Sequence, residues 1–174
     1  MPSRGHLVRA VRYLVFLAML LGGGIGLAQA ATIVALGASN TYGKGVARNE
    51  SYPSQLEAIL RAKGYQVQVI NAGVNGETTG DMLKRLDGAV PQGTAIVILQ
   101  PGGNDARKGV AADSAANIAE IRNRLSARGI KVIMLANSML HGLPHQPDGQ
   151  HLTPEGYRML AESVAAQVEG ALGK

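Results

Sequence analysis

The segment that decides the fold of this chain is ATIVALGASNTYG, residues 31–43. Its first part is an apolar, β-branched run of the kind that forms a strand buried on both faces. Gly37 and Ser39 follow directly, so this strand ends in a loop that carries a hydroxyl group. The carboxyl end of a buried parallel strand is where α/β folds place ligand-binding and reactive groups. The segment therefore predicts an α/β fold with Ser39 at its functional edge.

Short apolar runs alternate with helical patterns along the rest of the chain. We predict strands at 32–36, 66–70, 95–99 and 130–135, and helices at 51–63, 78–86, 113–128 and from Thr153 onward. This alternation is typical of a parallel sheet with helices on both faces. The loops that follow the strands should then meet at one edge of the sheet. They contain Ser39 and residues 71–76, 101–105 and 141–151.

The first thirty of the 174 residues have the pattern of a signal peptide. Arg4, Arg9 and Arg12 precede an apolar stretch, and the small-residue pattern Ala-Gln-Ala at 28–30 is typical of a cleavage site. We expect residues 1–30 to be a signal peptide and residues 31–174 to form a single domain, located in the periplasm or secreted. An uncleaved membrane anchor is the alternative, since the apolar stretch is almost long enough to span a bilayer.

Composition excludes several classes of site and partner. Three of the seventeen basic residues lie in the first thirty, whereas all twelve acidic residues lie beyond them, so the expected domain is nearly neutral. No basic run interleaved with aromatic residues is present, which argues against nucleic-acid binding. The chain has no cysteine, which excludes disulfides, thiolate metal sites and a cysteine nucleophile.

The predicted edge offers every group that a reactive serine needs. A serine nucleophile requires a base, a group that orients this base, and donors for the oxyanion. Asp148 precedes His151 by three residues, a spacing that lets the carboxylate reach the near ring nitrogen while the other nitrogen acts as base. Candidate oxyanion donors are the N–H groups of Ser39 and Gly73 and the side-chain amide of Asn104.

Four short motifs occur in a fixed order along residues 37–153: GASN at 37–40, NAGVNG at 71–76, GGND at 102–105 and DGQHLT at 148–153. Together they resemble the SGNH (GDSL-type) hydrolases, and most closely the small periplasmic thioesterase, arylesterase and lysophospholipase type. The resemblance implies a flavodoxin-like three-layer α/β/α sandwich with a parallel sheet of four to five strands. It implies a Ser39 nucleophile, a base His151 oriented by Asp148, and oxyanion donors from Ser39, Gly73 and Asn104. It also implies hydrolysis of small-molecule esters or thioesters without a metal or other cofactor.

The chain departs from the family pattern at two places. Ala38 stands where the family usually has an aspartate before the serine, which removes a polar group from the nucleophile loop. Only about a dozen residues separate the fourth predicted strand from Asp148, fewer than the family commonly has. We therefore expect four strands, with at most a vestigial fifth, and an open site with little lid.

Three alternatives to this interpretation stay open at the level of sequence. His141, His145, Asp148 and His151 have spacings compatible with zinc, although the Gly and Pro between the first two argue against one helix face. A carbohydrate O-acetylesterase would use the same groups, and a non-catalytic binding module could retain the scaffold. Once the leader is removed, we expect no stable membrane association; the oligomeric state cannot be read from the sequence.

Overall fold

A computed structural model describes residues 30–173 of the chain. Its sheet has four parallel strands in the order β2-β1-β3-β4. They are β1 (Ala31–Gly37), β2 (Val67–Gly73), β3 (Thr94–Gln100) and β4 (Lys131–Met134). This order follows the first four strands of the flavodoxin-like arrangement. The central strands β1 and β3 are largely buried, which explains their almost uninterrupted apolar sequences.

Seven α-helices connect and flank the strands within residues 30–173. They are α1 (Ser39–Tyr42), α2 (Tyr52–Ala62), α3 (Thr79–Lys84), α4 (Leu86–Ala89), α5 (Asn104–Arg107), α6 (Ser114–Ala127) and α7 (Pro154–Leu172). Short 3₁₀ turns cover Arg48–Glu50, Ala111–Asp113 and Asn137–Leu140. The last helix begins as its sequence indicates, because Thr153 caps it by accepting a hydrogen bond from the Gly156 N–H and Pro154 occupies its first turn.

Successive side chains of β1 enter different cores, because strand residues alternate between the faces of a sheet. Ile33 and Ala35 pack against α2 and α7. Val34 and Leu36 pack against α3, α4 and α6. The sheet is thus covered by helices on both faces, which confirms the predicted α/β/α sandwich.

The structure refines the predicted elements in three places. Strand β2 runs three residues past its predicted end, because residues 71–73 continue to pair with residues 35–37 of β1. The single helix predicted at 78–86 is two short helices that meet at Arg85, whose side chain donates to the Ala72 carbonyl and pairs with Glu77. Within residues 30–173 there is no fifth strand; His145 and Leu152 form an isolated antiparallel bridge instead.

The predicted leader at 1–30 lies almost entirely outside the described residues. Among the helices of residues 30–173, none has the length and apolar character that crossing a bilayer requires.

Two glycines at the carboxyl ends of paired strands let α1 sit directly on the sheet. Gly37 and Gly73 are register partners. A Cβ at Gly37 would lie 2.2 Å from Thr41 Oγ1, and one at Gly73 would lie 2.2 Å from the Tyr42 backbone nitrogen. A side chain at Gly73 would therefore displace the backbone of α1, and one at Gly37 would displace the Thr41 side chain and the Gln100 carbonyl. The location of the helix that begins with Ser39 follows from the absence of these two side chains.

Candidate active site

Ser39 is the first residue of α1 and follows a sharp turn from β1. The turn residue, Ala38, has φ −99° and ψ −140°, and its side chain is buried in the core between the sheet and α3 and α6. The first amides of a helix have no acceptor within the helix. The Ser39 N–H is therefore directed away from α1 and is free to donate to a bound group.

Ser39, His151 and Asp148 form a continuous hydrogen-bonded chain. The Ser39 Oγ lies 2.9 Å from His151 Nε2, and His151 Nδ1 lies 2.5 Å from Asp148 Oδ2. An ionised carboxylate only accepts, so the neutral imidazole carries its proton on Nδ1 and presents an unprotonated Nε2 to the serine. The Ser39 hydroxyl then donates to Nε2, which is the arrangement a general base requires.

Asp148 is held in its charged form by three donors. Its other oxygen accepts from the backbone N–H groups of Gln150 at 2.9 Å and His151 at 3.0 Å. The His151 side chain and then these amides lower the pKa of Asp148 well below its ordinary value of 3.8. The carboxylate is 43 % exposed, whereas the imidazole it orients is only 8 % exposed. A solvated carboxylate thus supports a buried ring.

Asn104 is buried at the start of α5 with a fixed amide orientation. Its Oδ1 accepts from Arg107 Nη2 at 2.6 Å, and since a guanidinium can only donate, this atom must be the oxygen. Its Nδ2 donates one hydrogen to the Glu77 carbonyl at 2.7 Å. No acceptor among residues 30–173 is paired with the second amide hydrogen, which leaves it available to a ligand. The role of Asn104 as an oxyanion donor stays a prediction.

Gly73 differs from the other two predicted donors. Its N–H donates to Asn71 Oδ1 at 3.0 Å, and the part of the cavity wall formed by residues 30–173 does not include it. Donation from Gly73 to an oxyanion therefore requires that this bond be exchanged when a substrate binds. The role of Gly73 as an oxyanion donor stays a prediction. Its close packing against the backbone of α1 is observed in the structure.

Asp105 and Asn40 connect neighbouring loops. Buried Asp105 accepts from the backbone N–H and the hydroxyl of Thr79, so it ties the loop after β3 to the start of α3. Asn40 donates to the Gln150 carbonyl at 3.1 Å and accepts from the Tyr157 hydroxyl at 3.0 Å. Burial raises the pKa of Tyr157 to about 12, so this hydroxyl stays a donor. Asn40 thus joins the nucleophile helix to the loop of His151.

A buried polar network beside Ala38 was not predicted from the sequence. Gln100, only 2 % exposed, accepts from the Thr41 hydroxyl at 3.2 Å and donates to Asn137 Oδ1 at 3.1 Å. Two of its members lie on different strands or loops from Ser39, and the third, Thr41, lies within α1. The sequence contains one sign of this network, because the apolar strand β3 ends in a glutamine, Gln100, just before the GGND motif.

A cavity of about 190 Å³ opens above Ser39 and His151. Asn104, Arg107 and Gln100 contribute to its walls, together with His141 and His145 from the loop after β4. His145 Nδ1 lies 2.7 Å from the Leu143 carbonyl, so that nitrogen carries the proton. Three of the four candidate zinc ligands, His141, His145 and His151, line the same cavity as the serine. Residues 30–173 nevertheless contain no group of three or more His, Asp or Glu side chains placed to hold a metal ion.

Comparison with known proteins agrees with this geometry. Residues 35–171 match the model of the GDSL-like lipase/acylhydrolase family. The esterase TesA of Pseudomonas aeruginosa is 29% identical over 163 residues, covering 89% of this chain and 78% of its own.

Solved structures share the fold at lower identity. The psychrotrophic esterase EstA from Pseudoalteromonas superposes with a TM-score of 0.72 at 18% identity, over 82% of this chain and 99% of its own. A carbohydrate acetylesterase family member from Sinorhizobium meliloti superposes with a TM-score of 0.66 at 17% identity, over 83% of this chain and all of its own (100%). With the family match over residues 35–171, the conclusion is that this chain belongs to the GDSL-like lipase/acylhydrolase family and is an ester hydrolase of the SGNH type.

Proposed function

We propose that this protein hydrolyses small carboxylic esters or thioesters through an acyl-enzyme formed on Ser39. The observation that carries the proposal is the unbroken chain from Ser39 Oγ through His151 to Asp148, with separations of 2.9 Å and 2.5 Å. A weak alcohol nucleophile needs such a base to react at neutral pH, and the base needs a fixed tautomer. His151 supplies the base, and its hydrogen bond to Asp148 fixes the tautomer.

The first half of the reaction forms the acyl-enzyme. His151 Nε2 takes the Ser39 proton as Oγ bonds to the acyl carbon, and the carbonyl electron pair moves onto oxygen. When the tetrahedral intermediate collapses, the bond to the leaving alcohol or thiol breaks and His151 gives that group its proton. In the second half, His151 deprotonates a water molecule that attacks the acyl carbon. The bond between the acyl carbon and Ser39 Oγ then breaks, the acid leaves, and His151 returns the proton to Ser39 Oγ.

Stabilisation of the oxyanion is assigned to the Ser39 N–H and the free Nδ2 hydrogen of Asn104. Donors fixed before the reaction lower the barrier because they need no reorganisation as charge develops. The Arg107 bond to Asn104 Oδ1 supports this fixed orientation. Gly73 is proposed as a third donor, released from Asn71 when the substrate is bound.

The substrate class is proposed from the size and chemistry of the cavity. A volume of about 190 Å³ suits a short acyl group or a small leaving group. An O-acetylated carbohydrate is the second candidate, because a structural neighbour is a carbohydrate acetylesterase family member. The chain has five Tyr, one Phe and no Trp, so it offers few rings for stacking on sugars, which favours the simple ester.

We also propose that residues 1–30 direct export and that residues 31–174 act as one domain in the periplasm or outside the cell. A non-catalytic binding module is the rival for the same scaffold. It would bind ligand at this cavity without forming a covalent bond to Ser39.

The test is treatment of the exported protein with a fluorophosphonate, followed by intact-mass measurement. We expect one adduct, a mass that gives the mature N-terminus, and turnover of short p-nitrophenyl esters. Ser39→Ala should lose the adduct and roughly a thousandfold or more in kcat/KM. Ser126→Ala, an exposed serine on α6, is the matched control and should behave as wild type. A wild-type protein with neither adduct nor turnover would support the binding module and overturn the proposal.

A further inference from the structure

Arg107 lies where a substrate could contact it. It is the last residue of α5 and forms part of the wall of the cavity that holds Ser39 and His151. One of its N–H groups donates to Asn104 Oδ1 at 2.6 Å. A guanidinium has five N–H donors in a planar fork, so most of its donors remain for another partner.

No carboxylate neutralises this guanidinium. Among the described residues 30–173, Arg107 forms no ion pair, whereas four other arginines do: Arg61, Arg85, Arg124 and Arg158. Arg107 is also exposed rather than packed under another side chain. Its guanidinium therefore lies at the wall of the cavity without an ion-pair partner among residues 30–173.

The remaining walls formed by the described residues contain no group that would neutralise Arg107. The other lining residues able to carry charge are histidines, His141, His145 and His151, and residues 30–173 contribute no Asp or Glu to these walls. Asp148 contacts the far nitrogen of His151 and lies outside the lining. A cavity whose wall holds a guanidinium and no carboxylate is complementary to an anion.

The position of Arg107 also limits where that anion can be. Asn104 is the proposed donor to the reacting carbonyl oxygen, and Arg107 is bonded directly to the amide of Asn104. Only the Asn104 side chain therefore separates the guanidinium from the proposed position of the reacting carbonyl. A charged group on a short substrate would reach it from the acyl side or from the leaving-group side.

We propose that Arg107 binds an anionic group, a carboxylate or a phosphate, on the ester or thioester that this enzyme hydrolyses. The inference rests on the proposed function, since it names the substrate class of the same site. Guanidinium pairs such anions with two parallel hydrogen bonds, which gives selectivity as well as attraction. Arg107 is therefore a specificity residue of the cavity.

The test compares kcat/KM for matched esters that differ in one negative charge. On the acyl side the pair is p-nitrophenyl hemisuccinate and p-nitrophenyl butyrate. On the leaving-group side it is meta-acetoxybenzoate and phenyl acetate. In Arg107→Gln, we expect the charged-to-neutral ratio to fall about threefold to tenfold in one of these pairs, the range expected for a partly exposed charged hydrogen bond. The pair that responds identifies the side of the substrate that carries the anion.

Two further variants separate specificity from positioning. Arg107→Lys keeps the positive charge but lacks the planar guanidinium, so it should retain part of the preference for the charged over the neutral ester. Lys108→Gln removes the same charge from an adjacent residue that lies outside this cavity, and its ratio should equal that of wild type. If Arg107 only positioned Asn104, Arg107→Gln would lower turnover of charged and neutral esters equally, and the proposal would be overturned.

Ionic strength supplies a readout on the unmodified enzyme. Salt screens a solvent-accessible charge pair, so the wild-type ratio for the responding ester should fall as salt is raised. A ratio that is unchanged by salt would overturn the role of Arg107 even if a variant failed to fold. Absence of turnover on every neutral ester would instead contradict the hydrolase proposal, so the two failures are distinguishable.

Discussion

The two halves of the candidate site are built differently. The nucleophile half, α1, rests on the glycine ends of β1 and β2 and is tied to β3 by the buried Thr41–Gln100 hydrogen bond. The base half is a surface turn, in which Asp148, Gly149 and Gln150 are exposed. It is held by hydrogen bonds to exposed groups, such as Asn40 to the Gln150 carbonyl. Packing fixes the serine, whereas the buried imidazole of His151 is oriented by its hydrogen bond to an exposed carboxylate.

Because the two halves are held differently, substitutions in them should have different effects on stability and on activity. Changes in the nucleophile half should cost both the free energy of unfolding and activity, because the same contacts do both. Changes in the base half should cost mainly activity, with only a small loss of stability. Ala38 fits the comparison: without the family's carboxylate at this position, close packing and the Gln100 network hold the serine instead.

Asp148→Asn should give the largest loss of activity with the smallest loss of stability. The amide cannot stabilise the imidazolium and permits the wrong tautomer, so kcat should fall on the order of a thousandfold. Asp113→Asn, another exposed acid, controls for the lost charge and should retain full activity. Steady-state kinetics on a short p-nitrophenyl ester measure the effect, and a loss below tenfold would show that water replaces the carboxylate.

The stability difference between wild type and Asp148→Asn should depend on pH with a known sign. Because hydrogen bonds lower the pKa of Asp148, its charged form stabilises the fold above the ordinary value of 3.8. That contribution is lost as the pH falls through the lower pKa of the folded state. The small Tm advantage of wild type over Asp148→Asn should therefore be present at neutral pH and shrink in acid. An advantage that grows in acid would contradict the assignment.

Gly73→Ala should damage both properties. The added Cβ would lie 2.2 Å from the Tyr42 nitrogen, so α1 must move away from the sheet. We expect a loss of about 1–3 kcal/mol in the free energy of unfolding, as for other overpacked sites. A misplaced nucleophile should also lower kcat about a hundredfold. Urea unfolding and ester kinetics report the two effects.

Gly88→Ala is the matched control for that experiment. A Cβ at Gly88 would meet nothing within 4 Å, and its position within α4 favours alanine over glycine. Wild-type activity and equal or greater stability are expected. If Gly73→Ala behaved like this control, the packing of α1 on the strand ends would not be what positions Ser39.

Gln100→Leu tests the smaller contribution of the buried network. It leaves the buried Thr41 hydroxyl without its partner, which should cost about 1–3 kcal/mol, whereas the exposed Asn137 side chain can bond to water instead. We expect kcat to fall about tenfold, since α1 keeps its glycine contacts. Thr41→Val removes the other end of the bond. If the network acts as a unit, the double variant should lose less than the sum of the two single losses.

Most of the fold could be predicted from the sequence because its central strands are nearly continuous apolar runs and its last helix has an explicit N-cap. Thr153 and Pro154 placed the start of α7 correctly. The break at Arg85 could not be predicted, because it depends on a tertiary bond to the Ala72 carbonyl. Helix propensity depends on neighbouring residues and so cannot predict a bond between residues that are far apart in the chain.

The candidate site divides in the same way. The spacing of Asp148 and His151 predicted their contact, since both lie on one turn. The Gln100 network joins residues that are distant in sequence, so no spacing could reveal it. The bond from the Gly73 N–H to Asn71 joins residues two apart, a spacing that is common in loops and carries no specific signal. Arg107 was overlooked because a single exposed arginine has no motif; only the cavity makes its position informative.

The paired glycines have a consequence for how the enzyme would lose activity on heating. Contacts between backbone atoms at the strand ends do not exchange with water, whereas the hydrogen bonds of the Asp148–His151 turn do. Local opening begins where backbone hydrogen bonds are solvent-exposed and apolar contacts are few. Gentle warming should therefore release the histidine turn while the sheet and α1 remain native. Inactivation would then precede melting and would be reversed on cooling.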